Sequence, residues 1–531
     1  MKRGEIARHV SRGAFFLGIE KAAALVSGTL YFALMARWLG PTQYGMLSLA
    51  LAVVGYATML TGNFEVFLER YAAEYQARRR LDVLARAHRL ALGIKLALGL
   101  GTSVALVAAG RAIGAHYHVP ELGTLVPLLT LIVATDGLAT TGRSLLFGLQ
   151  RFEWVSGIAI LFHVAKTVMV GALWWAHQGL NAMALGFALL AAAQAALFSL
   201  AAWVALHRAR AAARPEPDAP PAAAEPPLLR QMLRYCVPLL GARVSFLSGQ
   251  NLGRLVLGHV LDATQLGWYT FAFQTVDRLY DLTSTLPSAL LPSLTHLVTR
   301  AERERLRDVF DQAFRLVQVA ACVLSVGVFL FARELMLLVG SHLFEASAPV
   351  LRVFALVPIA RTAQQPLTML FQAMNRPGLV LALAVVKLAV ELGGYLVVVP
   401  AFGPVGAAWA NFAGAAVSYA GALLLLSVVL PEGAAARLGG VARGVLLAAT
   451  IVVAGWAIGR TVPAEAPALA ARIALLVPVL PALFALRLVT RYDLEKLGAL
   501  PLPAAWLRGA RDTLVAGADR LARAFEPRRA A

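Results

Sequence analysis

The residues of this chain with chemistry to explain are charges set inside long apolar runs. Lys21 stands in the first run and Arg243 in the seventh, 222 positions later. Lys166 and Lys387 stand in the fifth and eleventh, 221 positions apart. Arg254 in the seventh run and Arg361 in the tenth add two more cations. A charge at the centre of a membrane helix costs about 2.5–3.5 kcal/mol on insertion scales, so one that persists faces a protein interior or a water-filled cavity. Basic groups lining a cavity attract an anionic substrate, such as a diphosphate or an acidic sugar. The plainer reading is local pairing. Lys387 and Glu391 are spaced i,i+4, as in an intrahelical ion pair. Lys166 and Arg254 lie near enough to run ends to snorkel. Glu20 precedes Lys21, but consecutive helical residues do not face each other.

Four acids share such runs: Asp136, Asp277, Asp281 and Glu391. Asp277 and Asp281 lie on one helical face with Arg278 beside them. These acids are candidates for coupling, by holding Na⁺ or passing a proton, or they neutralise neighbouring arginines. His163, His259 and the other histidines lack a metal spacing such as HExxH. The two cysteines, Cys236 and Cys322, allow neither a disulfide framework nor a metal knuckle and read as small core residues. Neither a catalytic residue, a metal nor a cofactor is expected, so the chain reads as something other than an enzyme.

The elements that must position these charges follow from composition. Of 531 residues, 59% are hydrophobic and 15% charged, against about 45–50% and about 25% in soluble proteins. The excess apolar surface needs lipid. The net charge of +19 does not point to nucleic acid, because the basic residues occupy short segments between apolar runs. A spanning helix needs about 20 largely apolar residues. Fourteen runs meet this: 13–37, 44–64, 90–110, 122–146, 153–176, 180–206, 234–260, 265–290, 313–338, 347–371, 378–400, 404–430, 438–459 and 466–488. The fold class expected is an all-α integral membrane protein with about 14 transmembrane helices.

Lys and Arg concentrate in the N-terminal segment, in the even-numbered connections and in the tail, for example Arg78, Arg79 and Arg80, or Arg303, Arg305 and Arg307. GPTQ (40–43) and FGPVG (402–406), in odd-numbered connections, have none. This alternation predicts cytoplasmic termini and an even helix count. The first run lacks a cleavage signal and is expected to be retained. Phe64, Phe67, Leu68, Tyr71 and Tyr75 predict that the second helix runs on past the membrane with one apolar face. Residues 303–316 repeat that theme as a packed intracellular helix. In the tail, Leu507, Leu514, Ala518, Leu521 and Phe525 form a stripe beside arginines, expected to lie on anionic lipid or dock a partner.

The runs repeat. LGPTQYGMLSLA (39–50) matches LDATQLGWYTFA (261–272), and DVLARAHRL (82–90) matches DVFDQAFRL (308–316). LLFGLQR (145–151) matches LFQAMNR (370–376), GIAILFHVAK (157–166) matches GLVLALAVVK (378–387), and QGLNAMAL (178–185) matches FGPVGAAW (402–409). Five matches in order at offsets of 221–226 mark a duplicated six-helix unit. Six is even, so the copies are parallel, and parallel repeats place a substrate site between the halves near mid-membrane. The domains expected are a first lobe at 1–209, a Pro/Ala-rich cytoplasmic linker at 210–229, a second lobe at 230–432, two further helices at 433–490 and a basic amphipathic cytoplasmic tail at 491–531.

ARWLGPTQYGMLSLA (36–50), LDATQLGWYTFA (261–272), LLPSLTHL (290–297) and FGPVGAAWAN (402–411) carry a family resemblance over roughly residues 10–430. The chain resembles the polysaccharide transporter family of oligosaccharide flippases, within the multidrug/oligosaccharidyl-lipid/polysaccharide exporter superfamily. The resemblance implies two lobes in a V, alternating access, and movement of undecaprenyl-diphosphate-linked glycan from the cytoplasmic to the periplasmic leaflet of a bacterial inner membrane. It implies a role in lipopolysaccharide O-antigen, capsule or exopolysaccharide synthesis, with the polysaccharide polymerase and chain-length machinery as partners beside membrane lipids. Cationic cavity residues would hold the diphosphate, a role transferred to Lys21, Arg243, Lys166, Lys387, Arg254 and Arg361. Alternatives are a lipid II flippase or a multidrug exporter of the same superfamily. A drug-cation exporter favours acids and aromatics over paired bases. A membrane polymerase or ligase would carry a larger extramembrane loop than the non-cytoplasmic connections of roughly ten residues found here.

Overall fold

The computed structural model describes residues 3–78, 80–212, 228–288, 290–461, 465–486, 488–490, 509, 512 and 515–519. All regular structure among them is helical. Contacts divide the chain into two compact units. One comprises Met1–Phe271, Met336–Ala346 and Val399–Pro404; the other comprises Ala272–Leu335, Ser347–Val398 and Val405–Ala531.

The first unit begins with α1 (Arg3–Met59), which takes in the first predicted run and most of the second. At about 1.5 Å per residue an unbroken helix of 57 residues would far exceed the roughly 30 Å hydrocarbon core. It breaks at Gly40, with φ 65° and ψ 177°, just before Pro41. Glycine reaches that φ without a Cβ clash. Then follow α2 (Glu65–Ala77), α3 (Leu81–His116), α4 (Leu122–Gly148), α5 (Phe152–Trp175), α6 (Leu180–Ala212) and α7 (Leu228–Val260). The chain does not run straight from α1 into α2, as the sequence pattern predicts. Residues 60–64 turn, with Gly62 at φ 83° and the Thr61 hydroxyl bonded back to the Thr58 carbonyl. That turn ends one helix and re-aims the next.

Helix α4 is the hub, packed on α1, α2, α3 and α6. Lipid supplies no hydrophobic drive between helices, so close backbone approach at small residues takes its place. A Cβ on Gly99 would come within 2.8 Å of the Val133 carbonyl oxygen, and one on Gly142 within 2.8 Å of the Phe198 backbone. A core of Phe67, Leu84, Leu146, Phe198 and Met232 ties α2, α3, α4, α6 and α7 together. The outward faces are apolar too, with Val104, Val168 and Leu200 exposed, as lipid-facing helices require.

The two matching stretches 39–50 and 261–272 pack against each other within this unit. Thr42 and Thr264 share a hydroxyl bond of 2.8 Å, and Ser48 donates to Thr270 at 3.4 Å. A Cβ on Gly45 would fall 1.8 Å from the Ala263 carbonyl oxygen, and one on Gly267 would fall 2.0 Å from that of Pro41. Thr42 and Ser48 each meet the residue 222 positions on, and Gly45 and Gly267 each meet the residue four before the other, reciprocal contacts that mark a local pseudo-two-fold axis.

Helix α8 (Ala263–Ser288) leads into the second unit, which holds α9 (Leu290–Thr299) and α10 (Arg303–Leu330). Next come α11 (Ala332–Gly340), a 3-10 turn (His342–Ser347), α12 (Ala348–Phe354) and α13 (Val357–Ala373). The chain closes with α14 (Pro377–Val429), α15 (Ala434–Thr461), α16 (Glu465–Leu476) and α17 (Val479–Ala485). Helix α14 covers two predicted runs and breaks at Gly403, φ 55°, between Pro400 and Pro404. Residues 303–316 form the first half of α10 and continue into its apolar part without a break.

Among the described residues, nine helices are long and apolar enough to cross a membrane, or ten if the bent pair 342–354 and 357–373 counts as one span. Helices α7 and α8 fall below that measure; they carry Arg230, Arg234, Arg243 and Arg254, and Asp277, Arg278 and Asp281. The linker at 213–227 and nearly all of the tail lie outside the described residues. From the tail, Ala518 packs on Phe484.

Candidate functional site

The densest charged cluster of the first unit surrounds Lys95, a residue the sequence reading passed over. Helix α3 presents it inward, and its side chain has no exposed surface. A Cβ on Gly137 of α4 would lie 2.9 Å from the Lys95 Cβ, so that glycine lets the two helices close over the lysine. Lys95 Nζ lies 2.8 Å from Glu65 Oε2, 3.0 Å from Asp136 Oδ2 and 2.8 Å from Thr140 Oγ1. An ammonium has three donors, and three acceptors surround it. Thr61 donates to Asp136 Oδ2 at 3.3 Å. The break between α1 and α2 thus delivers both Thr61 and Glu65 to the site.

Two carboxylates face one ammonium. The ammonium is thus shared between acids from two other helices, and losing it would leave buried Glu65 and half-buried Asp136 without that counter-charge, which is expensive. Asp136 is the more accessible acid, at 20% against 7% for Glu65.

The second unit holds two further networks. In α14, buried Glu391 accepts from Tyr395 Oη at 2.6 Å, from the Asn411 amide, and from Lys387 Nζ at 3.0 Å. One acid meets one base, so this network is neutral. The i,i+4 pairing expected as the plainer reading of Lys387 is the one observed. Arg361 of α13 holds Asp277 of α8 at 2.7 Å and lies over the Tyr280 ring at 3.9 Å. Tyr280 also takes the Gln365 amide on its hydroxyl. Arg361 follows Asp136 by 225 positions, the offset that aligns 370–376 with 145–151. Places matched by that offset therefore hold opposite charges.

The other candidates are scattered. Lys21 is exposed on α1. Its neighbour Glu20 does not pair with it; that carboxylate takes Arg143 at 3.4 Å and the Ser156 hydroxyl at 3.1 Å. Lys166 is half-buried over the rings of Tyr31, at 5.5 Å, and Phe187, at 5.9 Å. Arg254 is partly buried in α7. Arg243 lies in α7 and Asp281 in α8, with side chains outside the described residues. His163 serves through its carbonyl, which accepts from Ser27 and Thr167. Cys236 and Cys322 are buried free thiols. Among the described residues no group of three or more His, Cys, Asp or Glu side chains is placed to hold a metal.

Lys95 and Glu65 were findable. Lys95 is a charge in a run otherwise apolar from Leu90 to Gly110, and Asp136, already singled out, needed a partner. Glu65 was assigned to a helix beyond the membrane, which hid it.

No curated protein matches the sequence. Solved structures do match the fold. An inward-facing multidrug resistance MATE family transporter of the MOP superfamily aligns at TM-score 0.61 and 14% identity, covering 78% of this chain and 95% of its own. The lipid II flippase MurJ, in an inward closed conformation, aligns at 0.56 and 12%, covering 83% and 93%. A MOP superfamily transporter from Pyrococcus furiosus aligns at 0.53 and 15%, covering 78% and 94%. At such identities the likeness establishes the fold, that of MOP-superfamily membrane transporters. The family model described as polysaccharide biosynthesis protein matches residues 34–349, from the second half of α1 to the start of α12, taking in the first matched stretch and its repeat. That match spans more than half of the 531 residues, and the chain belongs to the polysaccharide biosynthesis protein family.

Proposed function

We propose that this protein is a flippase. It carries polyprenyl-diphosphate-linked oligosaccharide from the cytoplasmic to the periplasmic leaflet of a bacterial inner membrane, for O-antigen, capsule or exopolysaccharide synthesis. The family match lying on a transporter fold carries this reading. A glycan headgroup bears many hydroxyls, each costing several kcal/mol to strip of water in hydrocarbon. A polysaccharide built on a lipid carrier therefore needs a polar path across the bilayer, and a chain of apolar helices with charges held inside them supplies one.

In this mechanism the lobes 1–209 and 230–432 alternate access, helices 433–490 flank them, and both termini face the cytoplasm. Lys21 and Arg243 meet the diphosphate. Lys166, shielded on two rings, and Arg254 extend the positive path. Arg361 and Lys387 are held by Asp277 and Glu391 and set the polarity of the second lobe. Energy enters at Asp136, where uptake and release of a cation changes the charge of the Lys95 cluster. The lipid tail stays in the bilayer, and the tail segment 491–531 docks the polymerase and chain-length machinery.

Complementation tests the reading. A bacterium lacking its O-unit flippase, and expressing this chain, should regain surface polysaccharide. Lys21→Ala and Arg243→Ala at matched protein levels should each reduce it at least about tenfold, the cost of one charge-assisted contact. Restoration undiminished in both variants would remove those residues from the substrate path.

A further inference from the structure

The transport reading leaves unused a pair of histidines where α3 and α7 end. His116 lies in the last turn of α3 and His259 in the last turn of α7. Both helices belong to the first unit. The two rings stack with centroids 5.0 Å apart and planes 17° from parallel. Both residues are exposed. Among the described residues neither ring is hydrogen-bonded or ion-paired. The Tyr117 ring meets His116 edge-on at 5.0 Å and limits how far that imidazole swings. His118, held at φ 57°, turns its Nδ1 to the His116 carbonyl at 3.3 Å.

Spacing decides what such a pair can hold. An imidazole nitrogen sits about 2.0–2.1 Å from Zn²⁺, and ligands surround that ion tetrahedrally. The ring centroid lies roughly 1.1 Å further out, so two imidazoles on one ion have centroids about 5 Å apart. The separation of the His116 and His259 rings matches. Rotation about χ2 aims one nitrogen of each ring at a common point, and that torsion is broad for histidine. Each neutral imidazole keeps a lone pair on one ring nitrogen. The backbone favours a cation here as well. A helix C-terminus carries about half a negative charge on its unsatisfied carbonyls, and two such ends meet at the pair. Asp262, three residues past His259, adds a carboxylate whose Oδ1 takes the Gln265 N–H at 2.8 Å.

We propose that His116 and His259 bind one divalent transition-metal ion, Zn²⁺ above all, with water completing its coordination. Imidazole suits Zn²⁺, Cu²⁺ and Ni²⁺. With two protein ligands the site is open and exchangeable, unlike a closed structural site of four. The ligands stand 143 positions apart, so no local spacing of the HExxH kind announces them. An ion shared by the two helix ends restrains any step that parts α3 from α7. The site is independent of the cargo that the flippase carries.

Metal titration of the full-length protein in detergent tests this, after purification through a tag without histidine and stripping with a chelator. Zn²⁺ binding is followed by calorimetry, and Cu²⁺ serves as the probe for electron paramagnetic resonance. Wild type should bind one Zn²⁺ per chain, and Zn²⁺ should raise its melting temperature. His116→Ala and His259→Ala should each weaken binding at least about tenfold, which loss of even a supporting group costs a metal site, and each should cancel the rise. Cu²⁺ should couple to two ring nitrogens in wild type and to one in either variant. His118→Ala should bind like wild type. Size-exclusion profiles and metal-free melting curves matching wild type establish that the variants fold. Zn²⁺ bound equally well by H116A/H259A would place the ion on others of the ten histidines and overturn the proposal. Loss in His118→Ala with none in His259→Ala would place it on the α3 end alone and overturn the bridge. Absence of saturable binding to wild type would overturn it outright.

Discussion

Two buried ion networks, one in each unit, solve the same problem in different ways. In the first unit Lys95 is shared by Glu65 and Asp136, on three different helices. In the second, Glu391 takes Lys387 and Tyr395 from its own half of α14 and Asn411 from the other half. The second network balances its charges and is mostly local. The first joins one ammonium to two carboxylates from distant parts of the chain. A neutral local network stiffens a helix pair. A network that draws its charges from several helices ties their packing together, and this is why we propose it, rather than the local one, as the coupling site.

Removing the shared base should be the most damaging single change. Lys95→Met takes the ammonium away from buried Glu65 and half-buried Asp136, and about 3–5 kcal/mol of stability should be lost. A thermal melt of the detergent-purified protein checks this. Adding Glu65→Gln and Asp136→Asn to Lys95→Met should recover most of the loss, because a neutral network has no charge to compensate. A triple variant as unstable as the single one would mean that packing, not charge, governs the site.

Packing at the pseudo-two-fold seam ranks next. Gly45→Val places methyl groups where the backbone of Ala263 already lies, and overpacking of this kind costs about 1–3 kcal/mol. Gly403→Ala meets no atom within 4 Å and carries only the strain of a positive φ, about 1 kcal/mol. If the two variants melted alike, close approach at Gly45 would not be what holds the matched stretches together. Lys387→Met should cost less than Lys95→Met, about 1–3 kcal/mol, because Tyr395 and Asn411 still serve Glu391 and Lys387 is 28% exposed. Equal losses for the two lysines would erase the distinction between the networks.

Much of the helical layout was legible because hydrophobic length alone reports it. Most predicted runs coincide with a helix or with half of a broken one, while 313–338, 347–371 and 466–488 each cross a break between two helices. The stretches 39–50 and 261–272, whose likeness suggests a duplication, meet at the seam where Thr42 bonds Thr264, which is a physical reason for them to read alike. The charged sites were less legible. Lys387 and Glu391 are four residues apart, so their pairing follows from spacing. Lys95 lies 30 residues from Glu65 and 41 from Asp136, and hydropathy says nothing about which distant helices bring charges together. The turn at Gly62 matters most here: reading α1 and α2 as one rod carries Glu65 away from the site it completes.

The central claim is tested most directly in proteoliposomes. Purified protein is reconstituted with a lipid-linked oligosaccharide loaded in one leaflet, and appearance of the sugar in the other is followed with an impermeant lectin, with and without an imposed proton or sodium gradient. The account predicts translocation well above that of protein-free vesicles. It predicts acceleration by one of the gradients and a loss of about tenfold or more in Asp136→Asn, with Glu391→Gln still responding to the gradient. Translocation no faster than in protein-free vesicles would contradict the account.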